Sequence, residues 1–395
     1  MRRLNPSRCA VNVCVSAILL AGCGGSQSPI GASGAMPQSA ESGPATYRLV
    51  YGFHGRRGSF PYAGLIHVNG TLYGTTYDGG AHGYGTAFSV STTGTEKVLH
   101  SFGAGSDDGL QPYASLIDVK GTLYGTTPTG GANGNGVMFS LTRTGGEKLI
   151  HSFGGPSDGV NPEAALIDVN GKLYGTTSGG GRHYGGTVFS ATTSGTEKVL
   201  YSFGGGSADG TGPLASLLDV GGTLYGTTIY GGASGHGTVF SVTKGGTERV
   251  LYSFAGGTDG ANPYASLIDV NGTLYGTTLN GGANGDGIVF SVTAAGEEQV
   301  LYTFAGGSDG ANPNAGLLDV KGLLYGTTTY GGARGYGTIF SVTTTGMEQV
   351  VHSFLGRSVD GANPYAGLIN ANGTLYGTTR IGGTHRRGAV FAFTP

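Results

Sequence analysis

Leu72-Tyr73-Gly74-Thr75-Thr76 is the stretch that decides the fold, because the same five residues recur seven times along the chain. The tyrosines of the copies stand at 73, 124, 174, 225, 275, 325 and 376, so successive copies are 50 or 51 residues apart. A period this regular indicates one supersecondary unit repeated in tandem. About fifty residues is the length of a four-stranded propeller blade.

The fifth copy shows how each repeat is built. Residues 265–270 and 273–278 have the pattern of two strands, and Asn271-Gly272 between them is the strongest short signal for a hairpin. A glycine-rich loop leads to a third strand over residues 288–292, and a short turn leads to a fourth over residues 299–304. Because no segment has the period of a helix, the chain is predicted to be all-β.

Phenylalanine is concentrated at repeated positions of the third and fourth strands. These positions hold 14 of the 16 phenylalanines of the chain: Phe88, Phe139, Phe189, Phe240, Phe290, Phe340 and Phe391 in third strands, and Phe53, Phe102, Phe153, Phe203, Phe254, Phe304 and Phe354 in fourth strands. A ligand-binding patch would be irregular instead. We therefore predict that these rings, with the seven repeated tyrosines, form the core between blades.

The two ends of the repeat array complement one another. Residues 47–53 have the pattern of a fourth strand without three strands before it, and residues 388–393 have the pattern of a third strand. Pairing the two segments would close a ring and remove the exposed sheet edges of an open array. The prediction is a seven-bladed β-propeller over residues 46–395, closed by the N-terminal strand completing the last blade.

Two families share features of this repeat. The hairpin followed by Gly79-Gly80 resembles a kelch blade, although kelch blades usually contain a tryptophan and this chain has none. The closer resemblance is to the bacterial GloVer tandem-repeat proteins, whose signature matches residues 224–228, Gly231-Gly232, residues 237–241 and the Asp-Gly-x-Asn-Pro segment of residues 259–263. That resemblance covers residues 46–395. It implies a surface-anchored propeller and brings no known activity with it.

The first 45 residues are expected to serve export. Arg2, Arg3 and Arg8 precede a short apolar run, so residues 1–22 are predicted to be a signal peptide. The run ends in Leu20-Ala21-Gly22-Cys23, which resembles the bacterial lipobox and implies cleavage before Cys23 with lipid attached to it; an ordinary secretory signal is the alternative. Residues 23–45 are rich in Gly, Ser, Ala and Pro, the composition of a flexible tether. We expect a protein of the cell envelope, an outer-membrane lipoprotein facing the periplasm or the cell surface.

Charge and cysteine content narrow the classes of partner. All three cysteines (Cys9, Cys14 and Cys23) stand at or before the cleavage point, so no disulfide or cysteine metal site is expected. The formal net charge is −2, and removing residues 1–22 takes away three arginines and no acid. A weakly acidic body argues against nucleic acid as the partner. We expect a monomer without cofactor or metal.

The sequence gives little support for a catalytic motif. Residues 155–159 and 306–310 fit Gly-x-Ser-x-Gly, but a chain with 82 glycines produces such matches by chance, and a nucleophile elbow needs a helix. His100, His151 and His352 share a fourth-strand position with tyrosines of other blades. That interchange favours packing over metal ligation.

Asp-Gly-x-Asn-Pro recurs between blades and has two interpretations. Its acids are Asp108, Asp158, Asp209, Asp259, Asp309 and Asp360, and Arg57 replaces them in the first copy. Asp and Asn oxygens are ligands that calcium prefers. The favoured interpretation is an Asx-turn, because each loop offers one acid and a calcium site usually collects several.

The loop between the second and third strands keeps its length while its tip varies. In a propeller these loops and the blade-to-blade loops emerge on the same face, which makes the varied tips the candidate binding rim. The candidates are Tyr84, His82, His183, His236, Asp286, Arg334, Tyr336, His385 and Arg387. Such groups suit sugars or peptides, and drift in exposed loops is the alternative.

Two functions from different classes remain open. The first is a non-enzymatic, lipid-anchored propeller that binds glycan or protein through one loop-bearing face. The second is a propeller enzyme, a polysaccharide lyase or glycoside hydrolase, with its site at the central mouth. An enzyme needs a unique acid/base cluster in one sector, and the near-uniform blades favour binding. The most asymmetric sector is the closing one, with Arg56, Arg57, Arg380, His385, Arg386 and Arg387.

The anchor can be tested on the native protein by mass spectrometry. Cys23 should be the mature N-terminus and should carry diacylglycerol, and Cys23→Ala should release the protein from membranes because the acyl chains supply the membrane affinity. A mature chain that begins elsewhere, without lipid, would show that this prediction is wrong.

Overall fold

A computed structural model describes residues 45–154 and 157–395 of the chain. The predicted signal peptide and tether, with Cys23, lie outside the described residues. Seven four-stranded antiparallel sheets follow one another, each with its first strand next to the central axis and its fourth at the outer edge. The prediction of an all-β, seven-bladed propeller is therefore confirmed. No helix among the described residues is long and apolar enough to cross a membrane.

The strands of the blades are as follows, in chain order: blade one has Ile66–Val68, Thr71–Thr76, Thr86–Ser91 and Glu96–Ser101; blade two has Ile117–Val119, Thr122–Thr127, Val137–Thr142 and Glu147–Ser152; blade three has Ile167–Val169, Lys172–Thr177, Thr187–Thr192 and Glu197–Ser202; blade four has Leu218–Val220, Thr223–Thr228, Thr238–Thr243 and Glu248–Ser253; blade five has Ile268–Val270, Thr273–Thr278, Ile288–Thr293 and Glu298–Thr303; blade six has Leu318–Val320, Leu323–Thr328, Thr338–Thr343 and Glu348–Ser353; blade seven has Ile369–Ala371, Thr374–Thr379 and Ala389–Thr394, completed by Thr46–Gly52.

Smaller pairings join each blade-to-blade loop to the blade that follows it. Five of these are two-residue ladders, two are single bridges, and one 3₁₀ turn covers Gly257–Asp259. The ladders pair Gly109–Leu110 with Thr129–Gly130, Gly159–Val160 with Gly179–Gly180, Gly210–Thr211 with Tyr230–Gly231, Gly310–Ala311 with Tyr330–Gly331, and Gly361–Ala362 with Ile381–Gly382; the bridges pair Ser59 with Asp78 and Ala261 with Asn280.

The N-terminal strand closes the ring as predicted. Thr46–Gly52 pairs antiparallel with Ala389–Thr394, with Thr46 opposite Thr394 and Gly52 opposite Ala389. The last blade thus draws three strands from the end of the array and its outermost strand from the beginning. Closure leaves the third strand of blade seven paired on both sides, as it is in every other blade.

Aromatic contacts fill the middle of every interface between blades. The fourth-strand phenylalanine of one blade meets the third-strand phenylalanine of the next edge to face, as Phe102 meets Phe139 with ring centroids 5.1 Å apart. The closing interface repeats this contact between Phe53 and Phe88, at 5.0 Å. All fourteen phenylalanines are buried, which confirms the predicted core. Six of the seven repeated tyrosines are also buried, and Tyr225 is half-buried.

The Leu-Tyr-Gly-Thr-Thr motif is explained by this packing. A Cβ on Gly74 would lie 2.8 Å from the ring of Phe88, so glycine makes room for the phenylalanine of the next strand. The first threonine then donates its hydroxyl to an alanine carbonyl of the next blade, as Thr75 does to Ala114 at 3.0 Å. The same bond crosses the closing interface from Thr378 to Ala63, at 2.8 Å.

That threonine bond also shortens the first strands. The sequence predicted a strand over residues 265–270, but the strand is Ile268–Val270. The carbonyl of Ala265 accepts a hydrogen bond from Thr227 of the preceding blade at 3.2 Å. The segment before Ile268 is therefore held by the neighbouring blade and does not extend the ladder within its own.

A cluster that we call the outer latch joins neighbouring blades at the periphery. It combines the His or Tyr of a fourth strand, the Asp of the following loop, and the Glu that begins the fourth strand of the next blade. Five interfaces carry this set: His100, Asp108 and Glu147; His151, Asp158 and Glu197; Tyr201, Asp209 and Glu248; Tyr252, Asp259 and Glu298; Tyr302, Asp309 and Glu348.

Histidine and tyrosine interchange in the latch because both reach the loop carboxylate. His100 Nε2 lies 3.2 Å from Asp108, and Tyr201 donates its hydroxyl to Asp209 at 3.0 Å. The sequence interpretation of this position as packing alone is incomplete. The position also supplies a polar contact that fixes the loop.

The remaining two interfaces replace one acid each. At the closing interface Arg57 takes the place of aspartate and forms an ion pair of 2.9 Å with Glu96, whose side chain is fully buried. At the interface between blades six and seven Tyr47 takes the place of glutamate and stacks on His352, with ring centroids 4.1 Å apart. Both exchanges remove a close pair of carboxyl groups.

Four glutamates of the latch have raised pKa values, whereas Asp108 and Asp158 have lowered ones. Burial, and then the nearby aspartate, raise the pKa of Glu197, Glu248, Glu298 and Glu348 to about 7. Burial would raise the pKa of Asp108 as well, but hydrogen bonds from His100 and from backbone amides outweigh it and lower that pKa.

These shifts predict that the latch contributes most to stability between about pH 4 and pH 5. A glutamate whose pKa is raised in the folded state stabilises it below its unfolded pKa of about 4.5, and that contribution is lost as the pH rises towards 7. The lowered pKa values of Asp108, Asp158 and Asp360 act oppositely, so their contribution is lost as the pH falls below about 4. Scanning calorimetry should therefore give a higher Tm at pH 5 than at pH 8.

A triple variant isolates the latch as the cause. Glu248→Gln, Glu298→Gln and Glu348→Gln together mimic the protonated carboxyls, so the fall in Tm between pH 5 and pH 8 should shrink. Glu297→Gln is the control, because Glu297 is an exposed neighbour of Glu298 and should leave the fall unchanged. Equal Tm values at both pH values in the unmodified protein would refute the account of the latch.

Candidate functional site

Two sets of loops meet on one side of the ring, which we call the loop-bearing face. They are the loops between second and third strands (residues 77–85, 128–136, 178–186, 229–237, 279–287, 329–337 and 380–388) and the blade-to-blade loops. The amide of Gln111 donates to the carbonyl of Tyr84 at 2.8 Å, and that of Asn262 donates to His236 at 2.8 Å. The structure thus brings the two sets together, as the sequence suggested.

Asp-Gly-x-Asn-Pro builds the blade-to-blade loops by local chemistry. Asp108 Oδ2 accepts hydrogen bonds from the amides of Gly103 and Ala104 at 2.8 and 2.9 Å, which is the role of a turn-capping residue. Asn262 has a φ of 56° and donates its side-chain amide to the carbonyl of Ile229 at 2.8 Å. Asparagine suits this position because it tolerates positive φ and because its side chain ties the loop to the preceding blade.

One latch also groups atoms that could ligate a cation. Ligand-capable atoms of His151, Asp158 and Glu197 all lie within 4.8 Å of one another. Imidazole and carboxylate groups suit several divalent metals. His151 Nε2 lies 3.2 Å from Asp158, so the same trio also serves as a hydrogen-bonded contact between blades two and three. The expectation of a chain without metal stays a prediction.

The nine predicted rim residues all lie on the loop-bearing face. Eight of them are exposed and Asp286 is half-buried. Several rest on a glycine that follows the fourth strand; the ring of Tyr84 lies against Gly103, and that of Tyr336 against Gly356. They belong to five blades besides the closing one, so they surround the face and do not converge on one point.

The basic residues predicted to cluster in the closing sector make separate contacts. Arg57 pairs with Glu96 within the closing interface, as described above. The guanidinium of Arg380 lies 5.2 Å from the ring centroid of Tyr62, towards the central axis. His385 remains near the outer loops, with its ring centroid 5.6 Å from that of His54. Arg57 and Arg380, two of the arginines predicted to form one cluster, therefore make separate contacts.

The central mouth is lined by the residues that follow the loop prolines, and sequence reasoning missed them. They are Tyr62, Tyr113, Glu163, Leu214, Tyr264, Asn314 and Tyr365, around an axial cavity of about 120 Å³. In the sequence, the mouth residues could have been recognised as one variable position between a repeated proline and a repeated alanine. Tyr62 stacks on Tyr113 with centroids 4.9 Å apart, and Tyr264 donates its hydroxyl across the axis to Tyr113 at 3.2 Å.

Glu163 is the acid among these seven mouth residues. Its side chain is half-buried, and Ser178 donates its hydroxyl to Glu163 Oε1 at 3.0 Å. Burial raises the pKa of Glu163, and the hydrogen bond from Ser178 offsets part of that rise.

Two clefts open on the loop-bearing face between neighbouring blades. A cleft of about 380 Å³ lies between blades three and four and includes Glu163, Tyr184 and Tyr230. A cleft of about 620 Å³ lies between blades five and six and includes Asp286 and Tyr330. Both are of the size that small-molecule sites have in proteins.

Exposed tyrosines concentrate on this face. The tyrosines with the greatest exposure are Tyr84 at 46%, Tyr184 at 73%, Tyr230 at 56%, Tyr330 at 48% and Tyr336 at 41%. All five belong to loops between second and third strands. The sequence interpretation singled out Tyr84 and Tyr336 and missed the other three, which stand at neighbouring loop positions.

Comparison with known proteins supports the fold and identifies the repeat. Residues 33–240 and 212–395 match the family model described as the Gloeobacter/Verrucomicrobia repeat. No curated protein matches the chain.

Solved structures that are similar to this chain include a lectin and an enzyme. The BP39L lectin from Burkholderia pseudomallei is 9% identical with a TM-score of 0.55, and the match covers 85% of this chain and 96% of that one. An ancestral GH74 enzyme is 14% identical with a TM-score of 0.55, and the match covers 85% of this chain and 47% of that one. At these identities the likeness shows the fold alone.

Proposed function

Because the chain belongs to the Gloeobacter/Verrucomicrobia repeat family and folds as a closed propeller, we propose that it binds a glycan or a protein through its loop-bearing face, without catalysis. The observation that carries the proposal is the set of five exposed tyrosines on that one face. Exposed aromatic rings beside hydroxyl, amide and carboxyl groups form a surface that stacks on a ligand and bonds to its polar groups.

A glycan is the ligand that these side chains suit best. The tyrosines are separated by polar loops and by two clefts, so the face offers several small contact areas in place of one continuous apolar patch. A protein partner would be favoured by a larger apolar surface. The lectin named above shares the architecture alone, and the side chains of this chain's own loops are what favour a glycan.

Glycoside hydrolysis is the second candidate, and Glu163 is the observation that favours it. A half-buried carboxyl with a raised pKa is suited to donate a proton to a leaving group. Most glycosidases use two carboxyl groups on either side of the bond they cleave. The seven mouth positions provide one, which is why binding is preferred here.

The proposal includes attachment to the cell envelope. It rests on the sequence around Cys23, which has the order of a basic segment, an apolar run and Leu-Ala-Gly-Cys. A lipid on Cys23 and a tether over residues 23–45 would place a monomeric propeller at the surface of a membrane, either in the periplasm or outside the cell. The tether would leave the loop-bearing face accessible to an extended ligand.

A glycan array probed with the purified protein tests the proposal. We expect selective binding, and we expect the double variant Tyr230→Ala/Tyr330→Ala to weaken it about tenfold, because each lost ring removes a stacking contact. Met347→Ala is the control, since Met347 is 53% exposed in a turn between third and fourth strands.

Other outcomes separate the alternatives. Release of reducing ends from a bound polysaccharide, abolished by Glu163→Gln, would favour the hydrolase. Absence of any bound glycan, together with capture of a defined envelope protein that the tyrosine variant no longer captures, would favour a protein ligand. Glycan binding that the double variant leaves unchanged would contradict the assignment to this face.

A further inference from the structure

The cleft between blades three and four differs from the other loops in its main chain. The position before the tip residue is glycine in five blades, with positive φ in each: Gly83, Gly134, Gly235, Gly285 and Gly335. Blade three has Tyr184 there, with a φ of 61°, and blade seven has Arg386, with a φ of 59°. A bulky side chain at positive φ carries a steric cost that glycine avoids.

The strained tyrosine is also the most exposed one. Tyr184 is 73% exposed, so burial of its ring does not compensate for the backbone conformation. A backbone outlier that packing does not explain is an indication of function. The conformation directs the side chain of Tyr184 to the cleft, whose opposite wall carries Tyr230 from blade four.

The next residue enlarges the same cleft. Position 185 is glycine, where other blades carry tip side chains such as Tyr84, His236 and Tyr336. A Cβ on Gly185 would lie 2.5 Å from the carbonyl oxygen of Phe203. In blade three the bulky side chain therefore stands at position 184 in place of position 185, and the main chain at Gly185 lines the cleft.

The chemistry of the walls indicates the class of ligand. Glu163, Ser178 and Thr211 offer hydrogen-bonding oxygens, and Leu214 and Ile229 supply apolar surface between the two tyrosines. A pyranose ring has hydroxyl groups around its edge and apolar C–H groups on its faces, so it complements both kinds of wall. An acidic sugar would be repelled by the carboxylate of Glu163.

We propose that this cleft is a subsite for one neutral pyranose unit, stacked on Tyr184 and Tyr230 and hydrogen-bonded by Glu163 and Thr211. The inference rests on the proposed glycan-binding function and names the place and the class of sugar. A quaternary ammonium ligand would also be attracted to tyrosine rings and a carboxylate. It would leave the hydroxyl of Thr211 in the wall of the cleft without a role, which favours the sugar.

Titration of the full-length protein with methyl glycosides of glucose, galactose, mannose and N-acetylglucosamine tests the subsite. At least one should bind, and Tyr184→Gly should weaken it about tenfold. The same variant should keep or raise Tm, because it installs the residue that five blades have at this position. Glu163→Gln should weaken binding several-fold while the fold is retained.

Arg386→Gly is the matched control. It relieves the same kind of backbone strain in blade seven, away from the cleft, and should leave the affinity for the methyl glycoside unchanged. Loss of binding in Tyr184→Gly with retention in Arg386→Gly would support the subsite, because relief of strain is common to both.

Other results would overturn the inference in distinguishable ways. Unchanged affinity in Tyr184→Gly, with binding lost in Tyr330→Ala, would refute this subsite and leave the proposed function standing, because Tyr330 belongs to the other cleft. Binding of choline in place of the glycosides, or tighter binding of glucuronic acid, would refute the class of ligand. A protein that binds no saccharide at all would refute the glycan function itself.

Discussion

The interface between neighbouring blades is the contact on which the rest of the structure depends, and it is repeated seven times. It has three layers from the axis outwards: a threonine hydroxyl bonded to an alanine carbonyl, an edge-to-face phenylalanine pair, and a polar contact that is the outer latch at five interfaces and an altered form of it at the other two. Burial of a phenylalanine side chain contributes about 1.5–3 kcal/mol, and an aromatic pair adds about 0.5–1.5 kcal/mol. The closing interface has the same layers, so each blade is stabilised from both sides.

Because the ring needs all seven interfaces, the threonine, alanine and phenylalanine residues that form them are the same in every blade, and most of the variation lies in the loops. Asp-Gly-x-Asn-Pro and the glycine pairs fix the course of the loops, which lets the side chains on the loop-bearing face change without altering the blades. Tyr184 is the clearest example, since it occupies a position that glycine fills in five other blades. Function on such a scaffold arises from the departures from the repeat.

The sequence predicted those features that depend on the repeat itself. Its period indicated the blades, the positions of phenylalanine indicated the core, and residues 47–53 indicated closure. The outer latch could not be predicted, because it joins Glu197 to Asp158 across two twisted blades and needs their relative rotation. The sequence did not reveal the residues of the central mouth, because Glu163 and Tyr62 stand at a variable position of the repeat. Only the closed ring shows that these positions surround one axis. The lipid on Cys23 stays a prediction.

Hydrogen exchange of the native protein tests closure of the ring most directly. The amides of the N-terminal strand, Thr46–Gly52, should exchange as slowly as those of the equivalent strand Glu298–Thr303 in blade five, and both should lose protection together as denaturant is added. This result would show that the first strand opens only with the whole ring. Rapid exchange of Thr46–Gly52 while the other six outer strands stay protected would contradict closure as the constraint that holds the propeller together.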